Sequence, residues 1–218
     1  MHFSQREVRR NLRQLAQRER TYRAHGYDLR AALRFVLTQA CPLPRRVLEI
    51  GTGKGRFLVG LARRVDRIVT VDPDAGEQTV ARAYAAHANV GHRIRFLTAD
   101  GARLPFADGS FAAVASFNAL HHFRDLDRVL DEILRVTAPG GTIVLADLDS
   151  VGFRIFRRIL RAENREHERI PYRWPHVSAR LRVAGYRVRI RRGDLTVLLL
   201  AHQVPGAGPS RQKAGSQP

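Results

Sequence analysis

Glu49, Gly51, Gly53 and Gly55 follow one another at every second position. They stand between an apolar run (Val47, Leu48, Ile50) and an apolar set at helical spacing (Phe57, Leu58, Leu61, Val65). The run reads as a buried strand and the set as a helix. Glycines between them allow a sharp turn and a close approach of backbone to a ligand. A helix N-terminus behind such a turn offers unpaired N–H groups to an anionic or carboxylate-bearing ligand. This is the turn of a nucleotide-type cofactor site. The dinucleotide fingerprint is excluded, because the third glycine comes one residue early. A phosphate-cradling loop is excluded too, because Lys54 is followed by Gly55 rather than Ser or Thr. A carboxylate at position 49 would repel a pyrophosphate, yet it can hold the amino group of a cationic amino-acid moiety.

Two further acids lie at the ends of short β-branched or alternating runs. Asp72 closes the stretch 67–72 and lies 21 positions after Gly51, near the spacing at which an acid meets ribose hydroxyls in doubly wound folds. A carboxylate can accept both hydroxyl protons. The alternative is a cap on the helix that follows Pro73. Asp100 closes the stretch 93–100 and precedes Gly101 and Ala102. His121 and His122 follow a fourth strand read at 112–116, and histidine titrates near neutrality. Adjacent residues of a chain point different ways, so at most one of the two is expected to face the transferred methyl. His121 is the candidate catalytic base for a hydroxyl or acidic-carbon acceptor, against the alternative of a satisfied or solvent-facing histidine.

The E-x-G-x-G-x-G pattern from Glu49 to Gly55 resembles motif I of the class I S-adenosylmethionine (SAM) methyltransferases. The phrase Leu104, Pro105, Phe106, Asp108, Ser110, Phe111 is similar to one found in the group that includes the ubiquinone and menaquinone methyltransferases. Ala112 stands where that group usually has Asp. The phrase 132–141 is also family-like, and its end, Pro139, Gly140 and Gly141, reads as a turn into a fifth strand over 142–146. Over roughly residues 45–202 this resemblance implies an α/β fold: a doubly wound, Rossmann-like, seven-stranded and mainly parallel sheet with a terminal antiparallel strand, helices covering both faces. It implies SAM as cofactor, bound across the carboxyl ends of strands one, two and four. Glu49, Gly51, Thr52, Gly53 and Gly55 would orient its methionine end, Asp72 and Pro73 its ribose, and Asp100, Gly101 and Ala102 its adenine. Asn118 would follow the methionine portion toward the transferred methyl, and no metal is implied. The N-P-P-Y motif of amino-group nucleic-acid methyltransferases is absent, which counts against base N-methylation.

The elements that must position these residues follow from periodicity. Residues 4–40 read as two helices broken at Gly26 and stopped by Pro42 and Pro44. They form an N-terminal helical cap over 1–44, in which Tyr22 and Tyr27 either line the substrate cavity or pack beneath a helix. A SAM-binding domain is expected over 45–204, alternating strands and helices. Within it, 151–180 forms a substrate-side insertion: a basic helix over 151–168 and an irregular stretch with Tyr172, Trp174 and His176. These three line an aromatic acceptor site or plug the sheet. A helix over 178–184 and two strands joined by a Gly193-Asp194 hairpin follow. Residues 205–218 lack periodicity and read as a disordered tail.

At 218 residues with an apolar fraction of 44%, the chain has the size and composition of a single well-buried domain. Its net charge of +18 is almost entirely arginine, Lys54 and Lys213 being the only lysines. The arginines are spread along the chain and aromatics are few, so base-stacking platforms are not indicated. One cysteine, Cys41, excludes an internal disulfide and a multi-cysteine zinc site. No apolar run approaches a membrane span, and a cytoplasmic enzyme is expected. The expected activity is methyl transfer from SAM to an O, N or C nucleophile of a small-molecule acceptor. The alternatives are an RNA or protein methyltransferase using the arginine-rich helices, or a non-catalytic SAM-binding protein.

Overall fold

The computed structural model describes residues 4–164 and 171–204. The tail expected from position 205 and the end of the helix expected over 151–168 lie outside the described residues. Two helices open the chain, α1 (Gln5–Ala24) and α2 (Leu29–Ala40). Ser4 caps α1 reciprocally: its hydroxyl accepts from Glu7 N at 3.2 Å and the Glu7 carboxylate accepts from Ser4 N at 3.0 Å. Asp28 caps α2, and Gly26 makes the break between them at φ 91°.

Then come β1 (Arg46–Ile50), α3 (Arg56–Ala62), β2 (Arg67–Asp72), α4 (Ala75–His87), β3 (Ile94–Thr98) and β4 (Phe111–Phe117). The chain continues through α5 (Leu126–Val136), β5 (Thr137–Leu148), α6 (Ser150–Ala162), α7 (Trp174–Val183), β6 (Tyr186–Gly193) and β7 (Thr196–Gln203). The seven strands form one sheet in the order β3-β2-β1-β4-β5-β7-β6. The first five are parallel, and β7 runs antiparallel between β5 and β6. Order reverses between β1 and β4, which leaves a crevice at their carboxyl ends.

Period-2 alternation divides the strands between two cores. Val47, Ala113, Ala115 and Val144 face a layer built from α2, α3, α4 and α6. Leu48, Ile50, Val114 and Leu145 face α5 and α7. Tyr22 and Tyr27 join the first core, and Leu104 the second.

Three local expectations need correction. The glycine pair Gly140 and Gly141, read as a turn ahead of β5, lies within that strand. Phe111 pairs with Thr137 while Ala113 pairs with Thr142, so the intervening residues loop out of the ladder as a bulge. The hairpin turn is Asp194-Leu195, with φ 49° and 59°, as a two-residue turn of the type that suits strand twist requires. Gly193 is needed in the strand instead, where a Cβ would lie 2.8 Å from the Phe35 ring. Finally, α7 starts at Trp174 rather than at 178, because Pro175 sits in its first turn, where its missing N–H costs nothing.

Candidate functional site

The glycine turn leaves β1 at the crevice. Gly51 N and Thr52 N both donate to Val71 O, which locks the turn to β2. Gly51 has φ 90°, and a Cβ on it would lie 2.5 Å from Ala119 Cβ; Gly55 has φ 77° and backs onto Ala81. Those two glycines are thus required by the protein's own packing. Gly53, at φ 46°, has nothing within 4 Å of where a Cβ would be, so its face of the turn is the open one.

Glu49 is 1% exposed on β1, opposite Thr70 of β2. Its Oε2 accepts from Thr70 Oγ1 at 2.5 Å, while its Oε1 is buried with no hydrogen-bond partner. Each donor here is itself supplied. Gln78 Nε2 donates to Thr52 Oγ1 at 3.2 Å, and Thr52 and Thr70 hydroxyls meet at 2.7 Å. With Thr70 giving its proton to Glu49, Thr52 must give its own to Thr70. Burial pushes the Glu49 carboxyl up to about 8; the Thr70 bond opposes this and the nearby Asp72 charge adds to it.

Asp72 ends β2 beside the turn. Its Oδ2 accepts from Gly53 N at 2.8 Å and its Oδ1 from Asp74 N at 2.9 Å. The cap of α4 is Asp74, not Asp72. Pro73 is exposed beside it. One strand further out, the exposed Asp100 accepts from Ala102 N at 2.9 Å, and Gly101 is buried against Ile50. The three acids and three glycines therefore stand at the carboxyl ends of β1, β2 and β3.

A cavity of about 190 Å³ opens between the glycine turn and the N-terminal helices. The backbone from Gly51 to Lys54 forms one wall; Phe57, Phe117 and Leu148 add apolar surface, and Phe156 of α6 closes it. Both tyrosines of the N-terminal helices line it as well as packing: Tyr22 and Tyr27 are buried with ring centroids 5.9 Å apart. The Tyr27 hydroxyl accepts from Asn118 Nδ2 at 3.0 Å, and desolvation pushes its pKa upward. Asn118 itself sits at φ 51°, a left-handed position that asparagine tolerates. Its Oδ1 is buried without a partner.

His121 and His122 both line this cavity. They share a 3-10 turn (Leu120–His122), which brings their rings to 4.2 Å between centroids. His121 is 3% exposed, and its Nδ1 lies 2.8 Å from both oxygens of the fully buried Asp147. Asp147 also accepts from His121 N and Leu148 N. A carboxylate only accepts, so His121 Nδ1 carries the proton that faces Asp147.

Sequence reasoning missed Asp147, which lies one residue beyond the apolar run 142–146. An acid at the carboxyl end of a buried strand was the available signal. It also missed the Thr52, Thr70 and Gln78 relay, which only register brings together. Tyr172, Trp174 and His176 do not reach the cavity. Tyr172 and Trp174 pack on the opposite core, and His176 Nε2 meets Asp127 of α5 at 2.6 Å. The expected substrate-side insertion is thus split: α6 walls the cavity, and α7 covers the other face against α5 and β6. Among the described residues no group of three or more His, Cys, Asp or Glu could hold a metal ion, and no helix is long and apolar enough to cross a membrane.

These features suit a cofactor with a cationic amino-acid end. Two buried oxygens, Glu49 Oε1 and Asn118 Oδ1, lack donors, and the open face of the glycine turn is at Gly53. Comparison with known proteins agrees. Residues 48–145 match the family described as a methyltransferase domain. The chain is 35% identical over 122 residues to a demethylmenaquinone methyltransferase of Thermus thermophilus, covering 56% of each protein. It is 41% identical over 109 residues to an uncharacterised methyltransferase of a Mycobacterium species, covering 50% of this chain and 41% of that one. The chain thus spans about half the length of the curated relatives it matches. In fold it resembles a SAM-dependent methyltransferase from Aquifex aeolicus, with a TM-score of 0.63 at 18% identity, over 93% of this chain and 100% of that one.

Proposed function

We propose, for a chain that carries in residues 48–145 a class I SAM-dependent methyltransferase domain, that it moves a methyl group from SAM to a small, largely apolar acceptor. One observation carries this reading: the cavity is walled on one side by the glycine turn and on the other by Tyr27, Asn118 and His121. A cofactor on the turn and an acceptor beside the histidine would share one space. The Thermus relative's name makes demethylmenaquinone-type molecules the first acceptors to screen.

When bound, SAM supplies an electrophilic methyl on a sulfonium, and the protein's part is mostly alignment. Glu49 Oε1 would take the ammonium of the methionine end, and the open backbone of Thr52 and Gly53 would hold the rest of that end. Asp72 and Pro73 would meet the ribose, and Asp100, Gly101 and Ala102 the adenine. Asn118, pinned by Tyr27, would present Oδ1 from the β4 side. His121 would accept a proton from the acceptor at Nε2, while Asp147 holds the ring and offsets the imidazolium charge.

Calorimetric titration with SAM and with NAD tests the cofactor assignment, and saturable SAM binding with no NAD signal is the expected result. His121→Ala should then lower turnover about a hundredfold while leaving SAM affinity unchanged. Full turnover in that variant would remove His121 from the chemistry. Loss of SAM binding would make it structural.

A further inference from the structure

We propose that the outer face of α6 docks this protein on an anionic phospholipid surface. The inference rests on the cavity being the acceptor site, because α6 is at once its wall and part of the outer surface. The inner side of α6 carries Phe153, whose ring lies edge-on to His121 at 5.2 Å, and Phe156, which lines the cavity. Its outer side carries Arg154, Arg157, Arg158 and Arg161, all exposed. These positions are spaced three, four and seven residues from the first, so they form one continuous helix face. No acid lies between Ser150 and Ala162, and none of the four arginines makes an ion pair among the described residues.

The same spacing recurs on α1, where Arg6, Arg9, Arg10 and Arg13 are exposed with no ion pair among the described residues. That side is turned away from α6 and lies outside the proposed surface, because Arg18 and Tyr22, which meet α6, lie roughly opposite these arginines on the helix. The one acid among them, Glu7, is held by Ser4. The two helices are fastened side by side by Tyr22 against Phe156, with ring centroids 5.8 Å apart, and by Arg18 to Glu163 at 3.2 Å. Elsewhere, arginines that lie near acids use them, as Arg135 does with Glu132 and Asp108.

A polyanion complements such a surface, and its lipid form is favoured by two observations. The cavity beneath has an apolar wall of Phe57, Phe117, Leu148 and Phe156 beside its polar residues, and an acceptor that fits against that wall favours a bilayer. Second, the exposed large hydrophobic residues among those described are Val151, Val183, Ile190 and Val204. None of these is aromatic, so none offers the stacking that a single-stranded nucleic acid would need. Val151, 39% exposed in the first turn of α6, lies where it can touch the headgroup layer. Docking there would be led by charge, because the apolar side of α6 is already used inside the fold.

The test is co-sedimentation of the full chain with vesicles of phosphatidylcholine alone and of phosphatidylcholine mixed with phosphatidylglycerol, at low and high salt. Binding to the mixed vesicles only, weakened by salt, is expected. Replacing Arg154, Arg157, Arg158 and Arg161 together by Gln should weaken it about a hundredfold, and replacing them by Lys should largely preserve it. Equal binding to both vesicles, no binding, or a Gln variant that binds like the wild type would overturn the proposal. So would a preference for single-stranded RNA at equal phosphate concentration. SAM titration of the same proteins separates the two readings. A chain that binds SAM but no vesicles loses only the docking surface, and a chain that binds no SAM loses the cofactor assignment whatever the vesicles show.

Discussion

At the scale of single residues, Glu49 has the clearest physical consequence. Burial holds its carboxyl near 8, so without a cationic partner it stays protonated around neutral pH. The unfolded chain would release that proton near the ordinary glutamate value. Between the two values the folded state binds the extra proton, so the residue's contribution to stability falls as pH rises through that window. Cofactor binding should run the opposite way, because an ammonium at Oε1 favours the ionised form. SAM affinity is therefore expected to rise with pH up to about 8, and binding below that point should release a proton. Calorimetry in buffers of different ionisation enthalpy reads this directly. Glu49→Gln should abolish the proton release and weaken SAM about tenfold or more. A binding enthalpy that does not depend on buffer would show that Glu49 does not change its charge. The carboxylate's place two residues before the first glycine was legible in the sequence. Its protonation was not, because that depends on the burial of Oε1 and on a hydroxyl relay drawn from β2 and α4.

At the scale of elements, the alternation of strands and helices was readable because each buries one face and repeats at its own period. What was not readable were places where two elements touch. The glycines of the turn illustrate this. Sequence suggests that all three serve a ligand, yet Gly51 is required by Ala119 and Gly55 by Ala81, and only Gly53 faces open space. Likewise Gly193 reads as a turn residue and serves instead a close approach to Phe35 of α2. The start of α7 was hidden by a proline that a first turn accepts. Gly51→Ala is the test at this scale. A methyl there meets Ala119 Cβ at 2.5 Å with φ at 90°, and both the overpacking and the left-handed backbone act against it. Unfolding in urea should show a loss of about 2–3 kcal/mol, with SAM binding reduced in the fraction that folds. Gly53→Ala should be the milder of the two in stability, since only its φ resists. Equal losses would mean that backbone conformation, not the contact with the β4 end, decides the turn.

At the scale of the whole molecule, the sheet and its two covering layers, α2 included, form a frame, and α1 is a lid fastened to that frame from one side. The fastening is specific. Glu19 of α1 reaches Arg30 of α2 at 2.8 Å and Arg56 of α3 at 3.4 Å, and Arg56 also donates to Leu15 O at 3.3 Å. Glu19 and Arg56 are both largely buried, so losing the negative charge leaves a poorly solvated guanidinium beside the glycine turn. The Arg30 arm is exposed and screened, and contributes little. Glu19→Gln should therefore cost about 1–2 kcal/mol, most of it local to α1. Hydrogen exchange should quicken in α1 and leave β1, β4 and β5 unchanged. Because Tyr22 and Tyr27 wall the cavity while Glu49, Asp72 and Asp100 lie on the sheet, the acceptor's KM should rise and SAM affinity should stay nearly the same. If exchange quickened throughout the sheet, α1 would be part of the folding core and not a lid. If SAM affinity fell in step with the acceptor's, the wall it forms would belong to the cofactor as much as to the acceptor.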